Sequence, residues 1–154
     1  MSAGDGYSGP VVTTAVDNFC LEAWFKPETA ENTVVVNNGN GGSNGFGLLL
    51  HDNGHPGRVT YMGLFGGNRF LDTNVNVVPG AAAHLAVVRA SGMTTVYLNG
   101  KPFPHGNAFP NPADGIFQIG HSKPFKGQID EVRVWVFAPG AFKPSDLLGS
   151  PAAK

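Results

Sequence analysis

The stretch Gly127-Gln128-Ile129-Asp130-Glu131-Val132-Arg133-Val134-Trp135-Val136-Phe137 decides the fold. Val132, Val134 and Val136 recur with period two, the mark of a β-strand with one buried face. Glu131, Arg133 and Trp135 take the other face. On that alternation Asp130 shares the side of the three valines. A carboxylate at the mouth of a core face has to find donors or a cation, because an unpaired one costs several kcal/mol or neutralises. So apolar a strand predicts a central position in its sheet.

Working outward, the same alternation recurs in short runs. Phe19, Leu21, Ala23 and Phe25 share one face of 19–26, and Cys20, Glu22, Trp24 and Lys26 share the other, with Pro27 ending the pairing. Further strands are predicted over 33–36, 46–51, 58–64, 70–78, 84–89, 93–98 and 115–120. Turns such as Ser91-Gly92 and Asn99-Gly100 separate them, the latter pair closing a hairpin. Residues 1–18 offer only Val11-Val12-Thr13-Thr14 as a strand, and only Ser145-Asp146-Leu147-Leu148, after Pro144, suggests a helical turn. Residues 101–112, with four prolines, read as a rim or edge. With 22 glycines, 12 prolines and 14% charged residues in 154, the composition agrees. It predicts an all-β fold, a two-sheet antiparallel β-sandwich of ten to thirteen strands. Three parts follow: an N-terminal arm (1–18), the sandwich (19–142) and a C-terminal tail (143–154).

Composition also removes function classes. A formal net charge of -1 gives no basic field for nucleic acid. No run of 18 apolar residues exists, so no membrane insertion is expected. The single Cys20 excludes an internal disulfide and a cysteine-built zinc site, and reads as an unreactive thiol unless it pairs between chains. The Asn37–Gly45 loop is glycine-rich, but no helix follows it and no Gly-Lys-Ser/Thr closes it, so it is no phosphate loop. The N-terminus lacks the n- and h-regions of a signal peptide. The expectation is a protein made in the cytoplasm, virion proteins included, or a domain cut from an extracellular one.

Three blocks then carry a resemblance. Residues 19–27 (FCLEAWFKP), the hairpin 84–89 (HLAVVR) with 95–100 (TVYLNG), and 127–135 occur in an order that resembles laminin G-like modules of the concanavalin A-like lectin/glucanase superfamily. The resemblance covers 19–137; a Gly/Ser/Thr-rich segment stands where such modules have an apolar opening strand. It implies the concanavalin A-like jelly-roll form of the sandwich, but that fold carries lectins, adhesion modules, glycosidases and structural proteins. Glycosidase relatives place two glutamates about an aspartate at alternate positions of one strand, which suits retaining hydrolysis. This sequence has no such run: Glu28 and Glu31 sit three apart in a loop, and strand alternation sends Asp130 and Glu131 to opposite faces. No enzyme is expected. His51, His55, His84, His105 and His121 form no His-Glu-x-x-His pattern, and only His51 and His55 lie close.

Binding remains. The loop-tip residues Asn38, Asn40, Asn44, His51, Asp52, Asn53, His55, Arg58, Tyr61, Asn68 and Arg69 supply amides, carboxylate, cations and a ring for a glycan or protein surface. The same residue types also serve turns for backbone reasons alone. Trp24 and Trp135 read equally as sheet-face packing or sugar platforms. Such modules often hold a structural Ca²⁺ through the aspartate of this penultimate strand, so the resemblance implies Asp130 as its ligand, with Asp5 as a possible second charge. Otherwise Asp130 accepts backbone N–H bonds from a neighbouring loop. Two function classes follow: a non-catalytic recognition module, or a structural virion component such as a capsid decoration or tail protein docking onto a larger assembly.

Overall fold

A computed structural model describes residues 6–40, 43–67, 69–120 and 125–149. Among these lie eleven strands: β1 Tyr7–Pro10, β2 Phe19–Pro27, β3 Thr33–Asn38, β4 Phe46–His51, β5 Thr60–Phe65, β6 Arg69–Asn76, β7 Ala83–Ala90, β8 Met93–Leu98, β9 Lys101–Pro104, β10 Ile116–Ile119 and β11 Gly127–Val136. They form two antiparallel sheets, ordered β1-β10-β3-β4-β5-β6 and β11-β2-β7-β8-β9. The sandwich expected from the alternation is present.

The core lies between the sheets. Phe19, Leu21, Ala23 and Phe25 of β2 meet Leu85 and Val87 of β7 and Val96 and Leu98 of β8 across one sheet. Phe46, Leu48, Leu50, Tyr61, Phe65 and Leu71 face them from the other, and the Phe19 and Phe46 rings stack with centroids 4.1 Å apart. The Asn99-Gly100 hairpin turn has φ of 51° and 84°, the left-handed pair that a two-residue connection needs.

Three expectations are corrected. The N-terminal strand is Tyr7–Pro10, not Val11–Thr14; it pairs with β10, while Asn38 binds the backbone of Val12 and Thr13. Strand β11 lies at an edge, not in the centre. Its apolar outer residues are covered by the following chain instead of being flanked by two strands. The alternation of β11 also breaks. Asp130 pairs with Trp24 and Val132 with Ala23, leaving Glu131 as the extra residue of a β-bulge. Ile129, Val132 and Val134 therefore all pack on the core, and Asp130 is exposed on the opposite side.

Candidate functional site

The outer face of the five-stranded sheet carries the chemistry. Even-numbered residues of β2 point there, and Glu22 is fully buried among them. Its Oε1 accepts bonds from His84 Nε2–H at 2.9 Å and the Leu148 N–H at 2.6 Å. Its Oε2 accepts from Arg133 Nε–H and Nη2–H at 3.0 and 2.6 Å, and from Trp135 Nε1–H at 3.0 Å. Burial alone would push this carboxyl up, but those donors outweigh it and hold it at about 2.

The donor from Leu148 belongs to a strap, residues 138–149, lying over this face. Leu147, 1% exposed, packs on Cys20, Ala86, Val88 and Tyr97, and Phe142 packs on Trp135 and Phe137. Arg133 Nη2–H also donates to the Asp146 carbonyl at 2.5 Å. The strap's turn is the short 3₁₀ helix Pro144–Asp146, where the sequence suggested one. Cys20 is sealed beneath, its thiol pushed well up by burial and by the Glu22 charge, in keeping with an unreactive group.

Beyond the strap the same face opens. A cavity of about 290 Å³ is lined by Trp24, Phe25 and Lys26 of β2, Ala82 before β7, and Gln128, Asp130 and Glu131 of β11. The bulge creates its acidic wall. An unbulged strand would turn Asp130 and Glu131 to opposite faces, whereas here both line one pocket. Glu131 holds φ of 48°, a left-handed conformation that costs a non-glycine residue on the order of 1 kcal/mol. Gly127 opens the strand at φ of 140°; a Cβ there would collide with the Lys26 carbonyl, so β11 approaches β2 closely at the pocket's edge. The result is an indole with a carboxamide, two carboxylates and an ammonium, all on strands. Such a group can stack on an apolar ring face and exchange hydrogen bonds with hydroxyls.

Residues 2–141 match the laminin G-like family of the concanavalin A-like lectin/glucanases superfamily. The chain belongs to that superfamily. Among solved structures of this superfamily's fold it is similar to domain 4 of AbnA, an extracellular GH43 arabinanase from Geobacillus stearothermophilus, in complex with arabinotriose. Identity is 26% and the TM-score 0.69, over 100% of this chain and 75% of that one. It is also similar to the SAP-like pentraxin of Limulus polyphemus (15% identity, TM-score 0.62, 86% of this chain and 71% of that one). Galectin-Ib of Xenopus laevis shares the fold (14% identity, TM-score 0.54, 85% of this chain and 100% of that one). No curated protein matches the sequence.

On this superfamily sandwich the loop-tip residues do not form one site. The register Phe46↔Phe65 and His51↔Thr60 puts residues 39–40, 43–45 and 66–67 at one end of the six-stranded sheet and the 52–59 loop at the other. At the first end Asn38 is fully buried, bonded to Val12 and Thr13. Asn44 Oδ1 accepts the N–H groups of Asn40 and Asp114. Arg69 is exposed there, and Asn68 lies outside the described residues. At the second end His51 Nδ1 accepts the Asn53 N–H at 2.8 Å, and its ring stacks on Phe70 at 4.6 Å. Asp52 Oδ1 accepts the Gly54 N–H, Arg58 donates to Asn74, and His55 is exposed. Tyr61 is a core residue, 4% exposed, whose hydroxyl accepts the Val78 N–H.

Asp130, the expected calcium ligand, is an exposed pocket residue beside Glu131 and Gln128, and Asp5 lies outside the described residues. Among the described residues no three His, Cys, Asp or Glu side chains gather as a metal cluster. Sequence reasoning named neither the pocket nor the Glu22 network. A usable signal for the pocket was present: apolar positions spaced three apart at Ile129 and Val132 mark a bulge where two-residue spacing was assumed. Apart from the weak Cys20 thiol contact two residues away, the donors to Glu22 come from 62 to 126 residues away, beyond the reach of any local pattern.

Proposed function

We propose that this chain is a non-catalytic carbohydrate-binding module, and that the Trp24 pocket takes a neutral oligosaccharide. One observation carries the reading: an indole, a carboxamide, two carboxylates and an ammonium converge on a cavity of about 290 Å³. Sugar rings present apolar C–H faces ringed by hydroxyls, and this lining complements both. Two carboxylates against one ammonium disfavour uronic or sialic acids by like-charge repulsion. The solved domain at 26% identity holds arabinotriose, which supports a neutral pentose oligomer as the first ligand to try.

The carboxylate pair does not argue for hydrolysis. A glycosidase needs an acid kept protonated by apolar burial beside an ionised partner. Asp130 and Glu131 are both exposed on the rim of an open pocket. The virion reading rests on the chain ends, which lie largely outside the described residues, and it stands behind the glycan reading.

Calorimetric titration with arabinotriose tests the proposal. Trp24→Ala is expected to weaken binding tenfold or more, about 1.4 kcal/mol or above. A variant that binds like the parent protein overturns the pocket.

A further inference from the structure

We infer that His84 is a positioning residue for the pocket: the strap and Glu22 fix its ring, and the ring sets the tilt of Trp24. This rests on the pocket reading above and extends it to the sealed half of the same sheet face.

The geometry is a chain of contacts. Asp130, Trp24 and His84 are register partners across three neighbouring strands, so their side chains stand in one row on the outer face. The Trp24 and His84 rings meet at 5.4 Å between centroids, tilted by 55°. Trp24 is half-exposed as a pocket wall, while His84 is fully buried. A half-exposed indole on a sheet surface keeps one orientation only where something solid backs it, and His84 is that backing.

His84 is itself held from two directions. Its Nε2–H is bonded to Glu22 Oε1, and Glu22 is anchored by Arg133 and by the Leu148 N–H of the strap. Its second ring nitrogen, Nδ1, is buried with no hydrogen-bond partner among the described residues, so one bond alone cannot fix the ring plane. The strap supplies the rest. Gly149 lies against the imidazole so closely that a Cβ there would collide with Cγ and Nδ1. Its backbone is not in the left-handed region, so the glycine is required by the ring and not by φ. Any larger residue at 149 has to push His84, and His84 has Trp24 beside it.

Two substitutions separate positioning from plain stability. His84→Phe keeps a flat ring behind Trp24 but loses the bond to Glu22. Gly149→Ala keeps that bond but crowds the ring. If affinity follows the seat of the ring, His84→Phe, which loses the Glu22 bond and brings a larger ring against Gly149, melts lower than the parent. It binds arabinotriose about fivefold more weakly, with its Trp24 indole resonance moved, which lost stability alone would not do. Gly149→Ala then loses about fivefold, roughly 1 kcal/mol, while folded. In a ¹H–¹⁵N spectrum of the ligand-free protein, two tryptophans give two indole resonances. Gly149→Ala is expected to shift that of Trp24. His84→Leu, which keeps bulk but not flatness, replaces it if Gly149→Ala does not fold. Trp24→Ala is the control. Loss of binding there, with parent-like affinity and an unmoved Trp24 resonance in Gly149→Ala, refutes positioning and leaves the pocket standing. Parent-like binding in Trp24→Ala removes the pocket and this inference together.

Discussion

Replacing Glu22 by glutamine removes one charge from a fully buried carboxylate and turns two oxygens into one oxygen and one amide. Glu22 accepts bonds from Arg133, His84, Trp135 and the Leu148 N–H. Arg133, Trp135 and the Leu148 N–H can only donate, so in either orientation the new NH₂ meets a donor with nothing to accept it. Two routes give the cost. Breaking a buried charge pair by altering one partner costs about 3–5 kcal/mol. Independently, a carboxyl lowered from 4.5 to about 2 carries that difference as folding free energy, roughly 3 kcal/mol at about 1.4 kcal/mol per pH unit. For 154 residues that is a fall in melting temperature of roughly 6–12 °C.

The pH dependence has a fixed sign. The folded pKa lies below the unfolded one, so the contribution is complete at neutral pH. It declines as pH falls below the unfolded value and is lost as pH passes through the folded value. Urea unfolding from pH 7 to pH 2 reads it directly. The gap between the parent and Glu22→Gln is expected to shrink from about 3 kcal/mol towards zero. A gap below about 1 kcal/mol at pH 7, or one that stays constant with pH, refutes the network as the strap's anchor.

Leu147→Ala empties the strap's main contact, a side chain 1% exposed, and is expected to cost about 3 kcal/mol in denaturant unfolding. Incubation with arabinan or β-glucan is expected to release no reducing sugar; release abolished by Asp130→Asn or Glu131→Gln would make the pocket catalytic. Calcium at Asp130 is a proposal with a direct check. An ion held there by Asp130, Glu131 and Gln128 oxygens raises the melting temperature in millimolar Ca²⁺ and loses that gain in chelator. Identical melts in the two conditions eliminate it.

How far the sequence could be read follows from where each piece of information lies. Alternation in 19–26, 84–89 and 93–98 is a property of consecutive residues, and burial of one sheet face obeys it directly. Hence Phe19, Leu21, Phe25, Leu85, Val87, Val96 and Leu98 were legible as core. The Asn99-Gly100 turn was legible for the same reason, since its left-handed φ values follow from two adjacent residue types. The three resembling blocks likewise implied the superfamily that residues 2–141 match.

The site was not local in this sense. Asp130 was noticed as an anomaly, but reading it as a core-mouth carboxylate assumed an unbroken strand; the bulge at Glu131 reversed its face and set it beside Trp24. The edge position of β11 depended on the strap covering its outer residues, which no window on β11 contains. Sequence by itself determined most of the strands, most of the core and the superfamily, because these depend on neighbours in the chain. Only the tertiary structure decided that Glu22 is buried, that Asp130 and Glu131 share a pocket, and that the loop-tip residues part to two ends. Each of those depends on which distant strand or strap lies opposite, and register and crossover set that, not composition.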